Sequence, residues 1–392
     1  MILKPIRLAF YLVAGVLSLA ISSCGESSKE AATSVEEVVD SATTNDGDSL
    51  STINLPEGFE ISIYASGIDN ARSMAISPSG TIYVGNRGGD KIYAIQDTDK
   101  DGKADKTIVV ASGLKTPNGV AFKDGDLYVG EISRLLKYPN VEANIEAVGE
   151  PVVVYDDYPT DEHHGWKYIA FGPDGKLYVP VGAPCNICES EKEIYATITR
   201  MNPDGTGREI FARGVRNTVG MTWDAEGNMW FTDNGRDMLG DDMPDCELNK
   251  ATEAGMHFGY PYCHAGDISD PEFGSKFSCS DFVAPAQKLG AHVAPLGLRF
   301  YNGDMFPAEY KGSIFIAQHG SWNRSKKSGY RIGLVKVENG KAVDYSIFAD
   351  GWLDEEEQEA WGRPVDVQVM PDGSLLISDD KAGVIYRVTY KA

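Results

Sequence analysis

A β-hairpin pattern that recurs six times is the feature of this sequence that most constrains its fold. Each copy has alternating apolar residues, a short turn containing glycine and a second alternating run, which is the signature of a β-hairpin. The clearest copies read MAISPSGTIYVGN, VAFKDGDLYVGE, IAFGPDGKLYVPV, MTWDAEGNMWFTD and VQVMPDGSLLISD, and a weaker one reads EYKGSIFIAQHG. Their turn glycines are Gly80, Gly125, Gly175, Gly227, Gly312 and Gly373.

The spacing of these turn glycines is typical of propeller blades. Successive intervals are 45, 50, 52, 85 and 61 residues, about the length of a four-stranded blade with its loops. Because an isolated hairpin is marginal in water, such blades must stack side by side and close a ring. The sequence therefore predicts an all-β fold, a six-bladed β-propeller of four-stranded antiparallel blades that occupies residues 54–392.

Two details of the ring remain open at this point. The segment FEISIYA, Phe59 to Ala65, precedes the first hairpin and could supply the strand that completes the last blade. The long interval between Gly227 and Gly312 would hide another unit if the propeller had a different number of blades. Its sequence DMLGDDMPDCELNKATEAGMHFGYPYCHAGDISD has the character of a loop, so we expect an insertion there.

The N-terminal residues have the pattern of an export signal. Lys4 and Arg7 precede an apolar run that is too short for a comfortable membrane span, and the run ends in a lipobox-like Ile-Ser-Ser-Cys at Cys24. A plain secretory signal is the alternative. Residues 25–53 are rich in Ser, Thr, Asp and Glu and lack aromatic residues, which predicts a disordered tether. We therefore expect residues 1–24 to be a lipoprotein signal peptide and Cys24 to anchor the protein at the cell envelope. Gly25 after that cysteine favours the outer membrane, with the domain facing the periplasm or the exterior.

Charge and cysteine content limit the partners. The formal net charge of -22 argues against nucleic acid, whose phosphates would be repelled. Five cysteines follow Cys24, and an exported protein can oxidise them in pairs. We expect the pairs Cys185–Cys188 and Cys263–Cys279. A zinc site is the rival interpretation of the CNIC motif, but no second ligand motif accompanies it.

Polar residues that flank the hairpins are concentrated in three stretches, and propellers place such loops around the central channel. The stretches are residues 161–167, residues 214–220 with 233–242, and residues 319–327 with 361–364. Histidine is scarce in the chain, yet these stretches contain several, and histidine suits proton removal near neutral pH. If Arg216, Arg324, Lys327 and Arg363 converge, they would bind a multiply anionic ligand. The alternative is that they pair with local carboxylates on exposed rims.

Six of these motifs, taken in order, resemble the sorbosone dehydrogenase branch of the soluble glucose dehydrogenase family. They are HHGWKYIAFGPDGKLYV, GVRNTVGMTWD, DNGRDMLGDDMPDCELN, HVAPLGLRFY, HGSWNRSKKSGYRI and GRPVDVQVMPDGSLLISD. The resemblance covers roughly residues 54–390. It implies a six-bladed propeller that uses pyrroloquinoline quinone (PQQ) and calcium to oxidise a hydroxyl or hydrated aldehyde of a small sugar, sugar aldehyde or polyol. Because the chain has no CxxCH haem motif, the electron acceptor would be external, such as a cytochrome.

The resemblance assigns a base and a cofactor pair by position. His164 matches the catalytic base of the family, since it has the same spacing before the GPDG hairpin. His163 would then be a neighbour of the base. Arg216 and Asn217 match the family's Arg-Asn pair that contacts the quinone.

The resemblance also assigns residues to calcium and to the cofactor's carboxylates. Backbone oxygens of Gly235 and Arg236 fall where the family holds calcium, and oxygen ligands suit that ion. Arg363 matches one of two arginines that bind the carboxylates. Lys327, or Arg324, lies near the position of the family's cofactor lysine.

The chain departs from the family pattern at two positions. Where the glucose enzymes have an aspartate that orients the base, this chain has Ala183, in Val181-Gly182-Ala183. Val365 replaces the second arginine of the last blade. These departures leave the orientation of His164 and the identity of the substrate open.

An acidic loop in the first blade suggests a separate calcium site. Asp97, Asp99, Asp101 and Asp105, with a glycine at the sixth position, resemble the first half of an EF-hand loop. The twelfth position is Ile108 instead of glutamate. Any calcium here would be structural, and a solvated acidic turn is the alternative.

Two other functions fit the same architecture. The first is a calcium-dependent sugar lactonase, whose metal would recruit Asn118, Asn217 and Asp233. The second is a non-catalytic surface propeller that binds glycan or protein, since fold alone does not determine function. A lactonase would have no use for a cluster of Arg216, Lys327 and Arg363, so a cationic cavity would distinguish the quinone enzyme.

Overall fold

The computed structural model describes residues 49–391 and confirms the predicted six-bladed β-propeller. The strands, in chain order, are β1 (Phe59–Ser66), β2 (Ala71–Ile76), β3 (Ile82–Asn86), β4 (Ile92–Gln96), β5 (Lys106–Ala111), β6 (Gly119–Lys123), β7 (Asp126–Gly130), β8 (Leu135–Tyr138), β9 (Val152–Tyr155), β10 (Ala170–Phe171), β11 (Leu177–Val181), β12 (Thr197–Met201), β13 (Glu209–Arg213), β14 (Met221–Trp223), β15 (Met229–Asp233), β16 (Asp245–Ala251), β17 (Cys263–His264), β18 (Ile268–Ser269), β19 (Gln287–Ala291), β20 (Pro295–Phe300), β21 (Ile314–Gln318), β22 (Arg331–Glu338), β23 (Lys341–Ala349), β24 (Leu353–Asp354), β25 (Glu359–Ala360), β26 (Pro364–Val369), β27 (Leu375–Asp379) and β28 (Val384–Tyr390). Short 3-10 helices span Val141–Asn144, Gly274–Lys276, Cys279–Asp281 and Ala308–Tyr310.

Each blade is a four-stranded antiparallel sheet. Blade 1 is β2–β5, blade 2 is β6–β9 and blade 3 is β10–β13. Blade 4 is β14–β16 with β19, blade 5 is β20–β23, and blade 6 is β26–β28 with β1. The first strands of neighbouring blades contact one another, as β2 contacts β6 and β26, so these strands surround the central axis. The six predicted turn glycines have φ between 75° and 92°, a region that glycine adopts without strain.

The N-terminal strand closes the ring. Strand β1 pairs antiparallel with β28, from Phe59 opposite Tyr390 to Ser66 opposite Val384. The expectation that the segment from Phe59 to Ala65 completes the last blade is therefore confirmed. Because blade 6 is built from both ends of the domain, separating those ends would open the whole ring.

Phe59 is the main apolar contact of this closure, and we expect Phe59→Ala to destabilise the domain strongly. Its ring lies 4.8 Å from that of Phe306, 5.0 Å from Phe348 and 4.9 Å from Tyr390. Removing a buried phenylalanine costs about 3–5 kcal/mol of unfolding free energy. Urea unfolding would measure the loss, and Ser62→Ala, at an exposed position of the same strand, is the control. A Phe59→Ala cost no larger than that of Ser62→Ala would show that β1 does not hold the ring closed.

The segment ahead of β1 also contacts the propeller. Leu50 and Ile53 pack against the core between blades 5 and 6, and the Thr52 hydroxyl donates a hydrogen bond to the Gly351 carbonyl at 2.9 Å. The predicted signal peptide with Cys24, and most of the predicted tether, lie outside the described residues. Within residues 49–391, no helix is long and apolar enough to cross a membrane.

The long interval in blade 4 contains an insertion, as expected, but the segment expected to be loop also includes strand β16, which is the third strand of the blade. The insertion lies between β16 and β19 and contains the β17–β18 hairpin and two 3-10 helices. Disulfides join Cys263 to Cys279 within it and Cys185 to Cys188 in blade 3, so both predicted pairs are confirmed. The fifth cysteine of the described chain, Cys246, is a buried thiol.

Candidate active site

A cavity of about 590 Å³ lies at the end of the channel where the first strand of each blade begins and the second strand ends. Because these two strands are antiparallel, residues just before or at the start of one and just after the end of the other meet at this site. The residues that line the cavity include Arg72, Arg87, His163, His164, Trp166, Arg216, Asn217, Gly235, Asp237, His319, Trp322 and Arg363. Its volume falls in the range of small-molecule and cofactor sites.

His164 presents a neutral imidazole to this cavity. The residue is 9% exposed, and its Nδ1 lies 2.9 Å from the carbonyl oxygen of Ala183. Because a carbonyl can only accept, Nδ1 carries the proton and Nε2 carries the lone pair. Burial, together with the charge of Arg216, lowers the pKa of His164 to about 2. At neutral pH the Nε2 atom is therefore an unprotonated acceptor, and it has no hydrogen-bond partner among residues 49–391.

The backbone around His164 is shaped to hold the ring in this orientation. His164 has φ of 51°, a left-handed conformation that non-glycine residues seldom adopt. A Cβ atom on Gly182 would lie 2.6 Å from the His164 Cβ, so only glycine leaves room for the histidine there. The Ala183 carbonyl thus provides the orienting contact at the position where the resembled enzymes have an aspartate. This contact accounts for how His164 is oriented without that carboxylate.

Hydrogen bonds from their backbone N–H groups to one carboxylate hold Arg216 and Asn217 in place. The carboxylate of Asp233, at the end of β15, accepts hydrogen bonds from the Arg216 N–H at 2.8 Å and from the Asn217 N–H at 2.7 Å. The Arg216 guanidinium bonds to the side chain and carbonyl of Asn186 and forms a 3.2 Å ion pair with Asp237. Both residues are almost fully buried, so their contacts place them rigidly at the cavity wall.

Two other arginines of the cavity have no carboxylate partner. The Arg363 guanidinium donates to the carbonyls of His319 and Gly320 and makes no salt bridge within the described chain. The Arg87 side chain lies 3.8 Å from the centre of the Trp166 ring and makes neither a salt bridge nor a hydrogen bond to residues 49–391. Burial, with Arg72 and Arg363 nearby, lowers the pKa of Arg87 to about 10, so it remains charged at neutral pH. The cavity therefore has positive charge that the protein does not neutralise.

Another arginine of the cavity, Arg72, forms a hydrogen-bond network with Asp380 and His319. Asp380 accepts hydrogen bonds from Arg72 at 2.7 Å and from His319 Nε2 at 2.8 Å. Burial lowers the pKa of His319 to about 4, so the ring is neutral at pH 7 and donates its Nε2 proton to the carboxylate. This network fixes the wall of the cavity between blades 1, 5 and 6 without adding to its net charge.

Three of the predicted site residues do not line the cavity. Arg324 bonds to the Asp241 carbonyl at 3.1 Å and to the Asp242 carboxylate at 2.9 Å, which matches the alternative of pairing on the rim. The Lys327 ammonium donates to the carbonyl of Gln358. Arg236, which was expected to contribute its backbone oxygen, is not among the lining residues, and its guanidinium is paired with Asp270 in the blade 4 insertion. Of the four basic residues expected to converge, the structure brings together Arg216 and Arg363.

The predicted calcium position is only partly matched. Gly235 and Asp237 both line the cavity, so a backbone carbonyl and a carboxylate belong to nearby residues of one wall. Arg236 is not among the residues at the wall. Carboxylate and carbonyl oxygens are the ligands that calcium prefers.

The acidic loop of blade 1 brings three of its four aspartates together. One carboxylate oxygen from each of Asp97, Asp99 and Asp105 lies within 4.8 Å of the others. The Asp97 carboxylate accepts backbone N–H bonds from Asp101 and Gly102, and Asp101 turns to the backbone N–H of Lys103. The loop is therefore hydrogen-bonded by its own backbone, and structural calcium there stays a prediction.

The side chains that a lactonase would recruit have other partners. The Asn118 side chain accepts from Arg72 at 2.9 Å and donates to the Lys167 carbonyl at 2.9 Å. Both oxygens of Asp233 accept the backbone N–H bonds described above. Of the three, only Asn217 lines the cavity. This geometry does not favour a metal held by all three.

Sequence reasoning missed several residues of the cavity. Arg72 belongs to the first strand of blade 1, and Arg87 follows its second strand, where the sequence GNRGGD resembles an ordinary turn. Arg72 lies at the start of a first strand, which Arg363 precedes in blade 6, and Arg87 follows a second strand, as Gly235 does in blade 4. Position along the blade was therefore the available signal. Trp166 and Trp322 lay within stretches already singled out, but nothing in their local sequence predicted that they face the cavity.

The fold and site together define a class of protein: a six-bladed propeller with a cationic axial cavity that contains a neutral histidine. The chain belongs to the family described as Domain of unknown function (DUF7133), which it matches over residues 45–388. An uncharacterized protein of Borreliella burgdorferi is 33% identical over 359 residues, which cover 87% of this chain and 92% of that protein.

Two solved structures of similar fold complete the comparison. The holo form of the pyranose dehydrogenase PQQ domain from Coprinopsis cinerea has a TM-score of 0.75 at 18% identity, covering 86% of this chain and 97% of that one. A calcium structure of a Trichoderma reesei Carbohydrate-Active Enzymes Family AA12 protein has a TM-score of 0.76 at 19% identity, covering 86% and 97%. At these identities the likeness shows the shared propeller fold.

Proposed function

We propose that this protein is a PQQ- and calcium-dependent dehydrogenase that oxidises a hydroxyl or hydrated aldehyde of a small sugar, sugar aldehyde or polyol. One observation carries the proposal: the axial cavity places neutral His164 in the same chamber as Arg87 and Arg363, two arginines without carboxylate partners. The similarity to a PQQ domain of a pyranose dehydrogenase supports it.

The donor set of the cavity fits a flat quinone that bears several carboxylates. Arg87, Arg216 and Arg363 come from blades 1, 4 and 6. The Arg87 guanidinium, which has no hydrogen-bond or salt-bridge partner among residues 49–391, can bind a carboxylate through paired N–H donors. Arg363 and Arg216 already donate to other groups, so they add positive charge and their remaining N–H donors. Trp166, against which Arg87 rests, adds an aromatic face of the kind that cofactor sites use. In a chain of net charge -22, this local excess of cations indicates an anionic ligand.

Calcium would be held at the wall formed by Gly235 and Asp237. A divalent cation there would be balanced by the Asp237 carboxylate, and it would polarise a carbonyl oxygen of the cofactor as a Lewis acid. The resemblance implies the backbone oxygen of Arg236 as a second calcium ligand, but Arg236 is not at this wall. We therefore expect the Asp237 carboxylate to bind the calcium instead. The Asp237 carboxylate also forms the ion pair with Arg216.

The residues of the chain supply the acid–base part of the reaction. When bound, PQQ supplies a quinone that accepts a hydride equivalent from a substrate carbon. His164 Nε2 takes the proton from the substrate hydroxyl, while Nδ1–H stays bonded to the Ala183 carbonyl and fixes the direction of the lone pair. The positive charge of Arg216 disfavours the protonated form of His164, so we expect the His164 imidazolium to release the proton after the reaction.

The electron acceptor and the cellular location belong to the same proposal. We infer an external acceptor such as a cytochrome, and a lipid anchor on Cys24 that holds the domain at the cell envelope, with the outer membrane favoured. These inferences are supported by the sequence, which has a lipobox-like segment and no haem motif. The strongly acidic composition suits a basic carrier protein.

Reconstitution tests the proposal. The purified apo protein is incubated with PQQ and calcium, and a panel of sugars, sugar aldehydes and polyols is offered with a redox dye. We expect a quinone absorption band that stays with the protein and dye bleaching with at least one substrate. If no member of the panel bleaches the dye although the quinone is bound, the proposed substrate class is wrong. If the protein retains no quinone, the proposal as a whole is wrong.

Trp322 at the cavity mouth is the expected contact for the sugar ring. It is 72% exposed although it lines the cavity, while its loop is anchored by the hydrogen bond from Tyr330 to the Ser321 carbonyl. An exposed aromatic face in a fixed loop is unfavourable without a ligand. We expect Trp322→Ala to raise KM about five- to tenfold with little change in kcat, the effect of losing roughly 1 kcal/mol of apolar contact. Trp322→Phe should retain most of the affinity, and an unchanged KM in Trp322→Ala would exclude this contact.

A further inference from the structure

We infer that the loop of residues 183–188, closed by the Cys185–Cys188 disulfide, is a positioning element for the catalytic and cofactor-binding groups, and that Asn186 is its main positioning residue. The inference rests on the proposed function for the ligand it names. The contacts themselves are properties of this chain alone. They connect this loop to the proposed base His164, to its neighbour His163 and to Arg216.

Asn186 makes four hydrogen bonds to two residues of the cavity wall. Its carbonyl accepts from Arg216 Nε at 2.9 Å, and its side-chain Oδ1 accepts from an Arg216 terminal nitrogen at 2.8 Å. The same Oδ1 accepts from the backbone N–H of Asp237 at 2.8 Å, and Nδ2 donates to the Asp237 carbonyl at 3.1 Å. Asn186 therefore sets the guanidinium of Arg216 and the backbone that follows Gly235 in one arrangement.

The rest of the loop contacts the two histidines. The Ala183 carbonyl accepts the Nδ1 proton of His164, and the Ala183 N–H donates to the Arg216 carbonyl at 2.8 Å. The Cys185 backbone lies close enough to the His163 ring to favour its protonated form. A shift of this loop would move the base and the arginine together.

Three features outside these contacts hold the loop in place. The disulfide closes it across Asn186 and Ile187 and so restricts the backbone on both sides of Asn186. The backbone N–H of Cys188 donates to the hydroxyl of the buried Tyr260 at 3.1 Å. The Cys185 sulfur lies 3.4 Å from the same hydroxyl.

The amide of Asn186 is chemically suited to this task. A carboxylate at the same place would add a second negative charge to the 3.2 Å ion pair that Arg216 already forms with Asp237, and it would reduce the attraction of Arg216 for an anionic ligand. A neutral amide fixes the direction of the guanidinium without that added charge. Asn186 therefore helps to hold a nearly buried arginine without lowering the positive charge of the cavity wall further.

Arginine-directed labelling tests the inference without any cofactor. Phenylglyoxal is applied to the apo protein, and modification of each arginine is followed by peptide mass spectrometry. In Asn186→Ala, we expect Arg216 to be modified about tenfold faster than in wild type, the factor that corresponds to losing one charge-assisted hydrogen bond. Arg363, which Asn186 does not contact, should be modified at the wild-type rate. Asn186→Asp keeps the Oδ1 acceptor and should keep Arg216 protected.

A binding measurement with PQQ and calcium gives the second readout. Asn186→Ala should weaken PQQ binding about tenfold, since the arginine must be ordered again when the ligand arrives. The thermal midpoint of the apo protein should change little by comparison. If the midpoint falls while Arg216 protection and PQQ affinity stay at wild-type values, Asn186 is merely structural and the inference is overturned.

The disulfides provide a matched pair. Cys185→Ser/Cys188→Ser should reproduce the faster labelling of Arg216, whereas Cys263→Ser/Cys279→Ser, in the blade 4 insertion, should not. Equal labelling in both double variants would contradict the role of the loop. Failure of wild type to take up PQQ would overturn the proposed function, while the labelling result would still decide the role of Asn186.

Discussion

Replacement of His164 by asparagine is expected to abolish sugar oxidation while the protein still takes up its quinone. Asparagine tolerates the left-handed backbone at this position and can still donate to the Ala183 carbonyl, but it has no basic nitrogen. Loss of a general base lowers the rate by about 10²- to 10⁴-fold. We therefore expect kcat/KM to fall by at least about 100-fold, with PQQ affinity within a few-fold of wild type.

His163→Asn is the matched control for this experiment. Its ring centre lies 4.0 Å from that of His164, but the residue is exposed. Its replacement should leave most of the activity. Steady-state kinetics with a redox dye and absorption of the bound quinone measure the two effects separately. Substantial turnover in His164→Asn would show that another group takes the proton, and His319 would be the next candidate because it lines the same cavity.

Replacement of both Arg87 and Arg363 by glutamine should remove cofactor binding and leave the fold intact. Each arginine that binds a carboxylate contributes a charge-assisted hydrogen bond of about 1.5–3 kcal/mol, so the double variant should bind PQQ at least about 100-fold more weakly. Neither side chain forms a salt bridge within the described chain, so no carboxylate is left unpaired by the change. Burial is the largest cause of the lowered pKa of Arg87, followed by repulsion from Arg72, and Arg363 makes a smaller contribution. Repulsion between Arg87 and Arg363 therefore destabilises the folded apo protein.

The apo double variant should therefore be as stable as wild type or slightly more stable. Thermal unfolding without ligand and equilibrium binding of PQQ with calcium would measure the two quantities. Arg324→Gln is the control, since Arg324 is engaged with Asp241 and Asp242 on the rim and should not affect binding. Wild-type PQQ affinity in the double variant would show that the unneutralised charge of the cavity has another purpose.

The fold could be predicted because its signal is local and repeated. Alternating apolar residues around turn glycines specify each hairpin, and the six copies specify the ring. The closing strand was predictable since Phe59 to Ala65 has the same alternation and no partner of its own. The two expected disulfide pairs are present, although cysteine positions alone do not determine connectivity. In each case the deciding interaction lies within one blade or between the two ends of the chain.

The site was predictable only where motif positions determine geometry. Arg363 sits immediately before the first strand of its blade, and Arg216 and His164 lie five and six residues before theirs, so the ring places them at the cavity. Arg324 and Lys327 lie in a long rim loop, where direction depends on distant partners such as Asp242 and Gln358. The long side chains of such loops can point into the cavity or pair with groups on the rim, and sequence alone does not decide between these two directions.

The orientation of His164 was unpredictable for a related reason. The sequence shows Ala183 where the resembled enzymes have a carboxylate, which suggests a lost contact. The structure replaces the carboxylate with the backbone carbonyl of that same residue, at 2.9 Å. Backbone carbonyls have no sequence signature, so a substitution that seems to remove an interaction can conserve it.

The central claim is that this axial cavity binds an anionic quinone beside His164. A crystal structure of the protein grown with PQQ and calcium tests it most directly. The account predicts density for the quinone within the cavity, with its carboxylates in hydrogen-bonding contact with Arg87, Arg216 or Arg363 and its reactive face towards His164. A cavity without the quinone at saturating concentration, or a quinone bound elsewhere on the propeller, would contradict it.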